Sequence, residues 1–275
     1  MHGPLARALA ALWPYLDALP AAEVAAFEQR AAIVEAAAVD ADVDVVALQE
    51  TKCTDDGFPV MSFLAAGYDV AFTGSGGYNG VAIASRIGLD EVEYGFEGQP
   101  AFDGEVEARA ISAVCGGVRV WSLYVPNGRA PGDPHFVYKL DWLTALRDRA
   151  ALWLAHDPAA QIALAGDWNV APTDADVWDT AEFEGKTHVT DAERAAFDAF
   201  AQAGYTDAAR PYLDTAKTYT FWDYQQLRFP RNQGMRIDFV LCSPALNDHV
   251  FDASIDKAAR KEPGASDHAP VVLDM

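Results

Sequence analysis

Cysteine is scarce in this 275-residue chain: Cys53, Cys115 and Cys242 are widely spaced, odd in number and form no CxxC pair. Such a set excludes a disulfide-stapled scaffold and a thiolate zinc site, and it fits a reducing compartment, so a cytoplasmic location is expected. No apolar run approaches the roughly 18 residues of a membrane span, so no membrane association is expected. The stretch at 5–12 is apolar, but Trp13-Pro14-Tyr15 and Asp17 interrupt it and the charge before it is poor, so no export signal is read. Positive charge is also short. Lys and Arg total 20 against 41 Asp and Glu, a net charge of -21. A surface of that sign repels phosphate backbones, so a nucleic-acid function requires a local basic rim. Lys217, Arg228, Arg231 and Arg236 are the candidates for one.

A chain of this length buries a large core. Apolar and β-branched runs at 43–48, 68–72, 81–84, 108–114, 118–125, 162–165, 237–241 and 271–273 read as strands. Residues 134–156 carry Phe136, Leu140, Leu143, Leu146, Leu152 and Trp153 at helical spacing. A second helix is predicted over 190–203, opening on the capping-box pattern Thr190-Asp191-Ala192-Glu193. Strands and helices mix without a break in composition, which predicts one α/β domain. Residues 1–27 stand apart as an Ala-rich segment of helical pattern, broken by Pro14 and Pro20, ahead of a domain over 28–275.

Carboxylates recur where apolar runs end, the place at which a rigid strand hands a side chain to an open loop. Glu50 follows Val45-Val46-Ala47-Leu48-Gln49, and Asp167 and Asn169 follow Ile162-Ala163-Leu164-Ala165-Gly166. If the extended chain continues, those last two leave the same face, and an acid and an amide share one phosphate; an Asx turn capping the strand is the plainer alternative. In Arg236-Ile237-Asp238-Phe239-Val240-Leu241 the acid sits inside an apolar strand and requires a partner, either His268 or Arg236. A carboxylate on one imidazole nitrogen favours the protonated ring, suited to holding an anionic oxygen. Asp267-His268 precedes the last strand, with Ser266 placed to cap the turn. Several acids with one imidazole and no thiolate suggest Mg²⁺-assisted attack on a phosphodiester. His135, His156, His188 and His249 have no ligand spacing, and Gly74-Ser75-Gly76-Gly77 lacks the Lys of a P-loop.

Nine motifs in order extend the argument: LQETK at 48–52, YNGVAIASR at 78–86, EARAI at 107–111, YVPNG at 124–128, YKLDWL at 138–143, GDWNVAPTD at 166–174, TFWDY at 220–224, GMRIDFVL at 234–241 and SDHAPV at 266–271. Together they resemble the exonuclease III class of abasic-site endonucleases, in the endonuclease/exonuclease/phosphatase superfamily and actinobacterial in style. The resemblance implies a four-layer α/β sandwich, two mixed β-sheets packed face to face with helices outside, and a site at the sheets' shared upper edge. It implies that Glu50 is the metal ligand with Asp267 close to the metal, that Asp167 orients or deprotonates the attacking water, and that Asn169 and Tyr124 contact the scissile phosphate and nucleophile. Asp238 and His268 resemble the orienting pair, Asn127 a further phosphate contact, and Lys52 a neighbour of Glu50. Phe221, Trp222, Met235 and Ile237 match positions lining a pocket for a baseless sugar, where a small apolar cavity excludes normal nucleotides.

The implied activity is Mg²⁺-dependent, with Mn²⁺ able to substitute: incision 5′ to abasic sites in double-stranded DNA, with 3′-to-5′ exonuclease and 3′-phosphatase action at 3′ ends, by a monomer. A superfamily phosphatase or phospholipase on another ester is one alternative. A catalytically silent DNA- or protein-binding relative is the other. The departure that motivates the latter is the opening of the chain, where members carry a strand with a Trp-Asn or Phe-Asn pair. The only Trp-Asn here is Trp168-Asn169, already assigned, and the chain begins instead with Ala-rich material, so that strand and its metal-supporting asparagine are expected to be missing and metal affinity and turnover to be lower.

Overall fold

The computed structural model describes residues 7–12, 42–77, 79–214, 217–261 and 265–275. Two-residue alternation organises the layers. In β2 (Val45–Gln49), Val45 and Ala47 point one way and Val46 and Leu48 the other, and each set joins a different apolar cluster. The same split occurs in β8 (Ile162–Asp167), between Ala163 with Ala165 and Ile162 with Leu164, and in β10 (Asp238–Cys242), between Val240 with Cys242 and Phe239 with Leu241.

One sheet has the order β11 (Asp252–Ile255), β12 (Val271–Asp274), β1 (Arg7–Leu12), β2, β4 (Val81–Ser85), β3 (Asp69–Thr73). The other runs β5 (Asp90–Tyr94), β6 (Ala110–Cys115), β7 (Val118–Tyr124), β8, β10, β9 (Thr206–Asp207). Both are mixed, with β1 parallel to β2 and β7 parallel to β8 among antiparallel neighbours. Their inner faces share one core that joins Val45, Ala47, Val81 and Ile83 to Ile111, Ala113, Ala163, Ala165 and Val240. Outside the second sheet lie α2 (Pro134–His156) and α3 (Asp191–Gln202), whose Trp142, Leu143, Leu146 and Phe200 pack on Trp121, Leu164 and Phe239. Outside the first, Phe63 of α1 (Val60–Ala65) meets Val46, Leu48 and Ala82. The short α4 (Pro244–Asn247) follows β10. The fold is therefore the four-layer α/β sandwich.

The opening of the chain departs from the sequence expectation. Residues Arg7–Leu12 are not helical but form β1, inside the first sheet, with Ala8 to Leu12 in register with Val45 to Gln49. The first strand is therefore present, and the domain includes it rather than beginning at residue 28. Ala and Leu favour helix in isolation, but backbone hydrogen bonds offered on both sides by β2 and β12 override that preference. The rest of the predicted helical segment, at 1–6 and 13–27, lies outside the described residues. The predicted helices at 134–156 and 190–203 match α2 and α3, with Thr190 as the N-cap of a capping box completed by Glu193.

Candidate active site

Register brings the site together before any side chain is considered. Asp167, the last residue of β8, is the Cα partner of Tyr124 on one side and of Asp238 on the other. All three side chains point toward the inter-sheet face by alternation. Gly166 makes the approach possible: its φ of 149° is open chiefly to glycine, and a Cβ there would lie 1.9 Å from the Leu123 carbonyl oxygen. Glu50 arrives from the opposing sheet. At a φ of 53° it leaves the strand geometry of β2, and the Tyr124 hydroxyl donates to its Oε1. Lys52 follows, its backbone held by Asn79 and its Nζ 2.9 Å from Glu50 Oε2.

Asp167 and Asn169 meet, but not by a continued strand. Asn169 has a φ of 51°, and its backbone N–H and Nδ2 each donate to Asp167, at 2.8 Å to Oδ1 and 2.8 Å to Oδ2. The turn and the shared site are one structure. Asn127 joins it, donating from Nδ2 to Asn169 Oδ1 at 3.1 Å. Asp238 takes His268, not Arg236: His268 Nδ1 lies 2.9 Å from Asp238 Oδ2, while Arg236 pairs with Asp176 and Asp207. Ser266 caps the turn by accepting from the His268 backbone at 2.9 Å. Asp267 is close by, its Oδ1 3.9 Å from His268 Nε2, with its backbone carbonyl bonded to Trp222 N.

Burial and charge set the protonation states. Burial alone would depress the His268 imidazolium, but Asp238, by charge and hydrogen bond, pushes its pKa up to about 10. Burial, then the charge of Asp238, raises Asp167 well above the usual carboxylate range, against the pull of His268. Burial and the neighbouring Glu50 likewise keep Tyr124 a neutral phenol, which is the form that donates to Glu50.

Among the described residues, no three His, Cys, Asp or Glu side chains converge into a ready metal cage. What is present still fits a hard cation. Asp267 Oδ1 is buried without a hydrogen-bond partner, and burial with Glu50 repulsion raises the Asp267 carboxyl against the pull of His268. Mg²⁺ commonly takes one or two carboxylates and completes its shell with water and substrate phosphate.

The apolar side of the site is divided. Phe221 lies over His268, ring centroids 4.8 Å apart, and packs with Met235, Ile237, Ala171 and Val177 in one cluster. Trp222 does not join them. It is fully buried with Tyr219 and Ala269, in a separate cluster, its Nε1 donating to Asn232. The expected basic rim is also reduced: Arg236 is 2 % exposed and ion-paired, Arg228 stacks on Trp178 and pairs with Glu182, and Lys217 and Arg231 remain exposed. Sequence reasoning missed Lys139, Thr187 and His188, which lie directly behind Asn127 and Asn169. The signal was available for Lys139, which sits among Tyr138, Trp142 and Leu143 on the apolar stripe of α2.

A carboxyl held by an amide, next to an imidazolium locked by a second carboxylate, is a centre for directing water at an anionic ester, and on this sandwich it defines a phosphoesterase. Comparison with known proteins carries this further: residues 18–268 match the Endonuclease/Exonuclease/phosphatase family, to which the chain belongs. It is 32% identical over 236 residues to an exodeoxyribonuclease of Bacillus subtilis, covering 84% of this chain and 88% of that one. It is 31% identical to the DNA repair nuclease APEX1 of Danio rerio, covering 84% and 73%. Among solved structures it superposes on the 3′ phosphatase NExo from Neisseria, bound to a product DNA hairpin, with TM-score 0.88, 31% identity and 98% and 99% coverage. An AP endonuclease from Archaeoglobus fulgidus gives 0.86 at 28% identity, with 98% of each chain covered. No helix among the described residues is long and apolar enough to cross a membrane.

Proposed function

We propose that this protein is a Mg²⁺-dependent DNA repair nuclease that cleaves the phosphodiester 5′ to an abasic site and leaves a 3′-hydroxyl, with 3′-to-5′ exonuclease and 3′-phosphatase action at the same centre. The observation that carries the reading is the juxtaposition of Asp167, bracketed by Asn169, with the His268–Asp238 pair at one strand register. Asp167 orients the attacking water and receives its proton. The His268 imidazolium, held charged by Asp238, hydrogen-bonds a non-bridging phosphoryl oxygen and stabilises the charge that grows there. Asn169, Asn127 and the Tyr124 phenol fix the phosphate so that attack is in line with the departing 3′-oxygen. A divalent cation held by Glu50 and Asp267 would neutralise the phosphoryl oxygens as a Lewis acid, with Mn²⁺ able to replace Mg²⁺.

Phe221, Met235 and Ile237 form the apolar wall that admits a baseless sugar, beside His268. The reading also draws on the names of the relatives, which are nucleases and a 3′ phosphatase acting on DNA. The chain opens without the Trp-Asn or Phe-Asn pair, so its affinity for the cation and its turnover should be lower than in a relative that carries that amide. The test is a fluorescent duplex with a single tetrahydrofuran residue, next to one ending in a 3′-phosphate. Mg²⁺-dependent nicking immediately 5′ of the tetrahydrofuran supports the reading. Hydrolysis of small phosphate esters with neither duplex processed would replace it with a phosphatase, and tight duplex binding without cleavage with a silent relative.

A further inference from the structure

A buried ion pair lies behind the two site asparagines, and we propose that Lys139, locked by Glu193, is a positioning residue that sets the amides of Asn127 and Asn169. The inference rests on the reading of those amides as phosphate contacts. Lys139 rises from α2 with no solvent exposure at all. An ammonium has three donors, and this one spends them on the Asn169 carbonyl at 2.6 Å, the Asn127 carbonyl at 3.2 Å, and Glu193 Oε1.

The surroundings repeat the arrangement. Thr187 Oγ1 lies 3.0 Å from the Asn127 carbonyl and 2.7 Å from Glu193 Oε1. His188 Nδ1 lies 2.5 Å from the Asn169 carbonyl, so that nitrogen carries the hydrogen. Burial, and then Lys139, lower the His188 pKa to about 4, which keeps the ring neutral. Glu193, fully buried, also accepts from His188 N at 2.9 Å and from Thr190, tying the N-terminus of α3 to the same point. Gly128 lets the Asn127 loop lie against the lysine stem: its φ is 86°, and a Cβ there would come within 3.0 Å of Lys139 Cδ.

Each asparagine is thus gripped by its backbone while its side chain faces the site. The Asn127 amide reaches Asn169, and the Asn169 amide reaches Asp167. Asn169 stands at a left-handed φ of 51°, a conformation that local packing must hold. Stability by itself is a weak reason for a buried pair, since well-packed apolar residues of similar volume often replace one without loss. What an apolar pair cannot supply is the link itself: Nζ bonds two carbonyls from separate loops at once, whereas Thr187 and His188 each reach one.

The double variant Lys139→Met/Glu193→Met separates positioning from stability. We expect a cooperative melt, metal-free duplex affinity within about threefold of wild type, and kcat on the tetrahydrofuran duplex lowered by about 10²-fold, the cost of small misplacement of reacting groups. The Asn127 and Asn169 side-chain amide resonances should move in ¹⁵N spectra. Glu193→Gln, which retains the cap geometry, covers the case in which the double variant does not fold; the same resonances should move and kcat should fall. Unmoved resonances with kcat within about threefold of wild type, in a folded variant, would overturn the inference. Should the wild-type protein fail to nick, the nuclease reading falls, and the resonances alone decide whether Lys139 positions the amides.

Discussion

Two acid-rich regions of this molecule are treated in opposite ways. Around Asp176 every charge is matched: it accepts from Arg236 Nε at 2.7 Å, from Arg210, and from Thr173 Oγ1 at 2.6 Å, while Arg236 Nη1 reaches Asp207 at 2.6 Å. Around Asp167 they are not. Glu50, Asp167, Asp238 and Asp267 face one imidazolium and Lys52, and Asp238 Oδ1 and Asp267 Oδ1 are buried with no hydrogen-bond partner. Buried carboxylates without full pairing raise the free energy of the folded state. A fold able to saturate Asp176 so completely could have done so at the strand ends. Asp238 and Asp267 thus differ from Asp176 in each keeping a buried oxygen that no described residue hydrogen-bonds, and perturbed acids of this kind cluster at functional sites.

The contrast breaks most sharply at Asp167. Asp167→Asn should lower single-turnover nicking by about 10³-fold while the melting temperature holds or rises, because an amide relieves repulsion from Asp238. Asp176→Asn should do the reverse, costing about 3 kcal/mol in urea unfolding because Arg236 is left underpaired in the core, with nicking per folded molecule little changed. An Asp176 variant of normal stability that no longer turns over would erase the distinction.

Cation binding sharpens the same comparison on a smaller scale. Mg²⁺ at about a hundred times its dissociation constant should stabilise the protein by roughly 2.7 kcal/mol, read as a rise in melting temperature. Glu50→Gln or Asp267→Asn should remove that rise, and Asp176→Asn should retain it.

The pH dependence is the finest test. His268 carries a folded pKa of about 10 against an ordinary value of 6.5. A raised pKa means that the imidazolium's contribution is complete below 6.5 and is lost as pH climbs through about 10. Nicking should show no histidine inflection near 6.5, and the His268 Cε1 resonance should titrate near 10. A midpoint close to 6.5 would show that Asp238 is not holding the proton.

Much of this was legible from spacing. Eight strands and both long helices followed from periodicity; Glu50 and Asp167 were singled out as acids closing apolar runs, Asp238 as an acid inside one, and His268 as its candidate partner ahead of the last strand. The short or exposed strands β5, β9 and β11 were not, because Asp90–Tyr94 has only Val92 and Tyr94 to signal it and Thr206–Asp207 is two residues long. β1 was misread because its Ala and Leu prefer helix locally. Arg236 was misread as rim, since a cation beside a strand acid gives no hint that Asp176, sixty positions away, will claim it. Lys139 was passed over because a lysine in a helix is ordinarily solvated.

By itself the chain determined which residues could face each other: alternation with period two commits Tyr124, Asp167 and Asp238 to one face, and no later event can move a single side chain of a strand to the other. What waited for the tertiary structure was their company. Glu50 and Asn169 turn left-handed, Asp238 chooses His268 over its neighbour Arg236, and Arg7–Leu12 extends between β2 and β12. Each of these is settled by partners far away in sequence, whose hydrogen bonds and charges exist only once the two sheets have closed on each other.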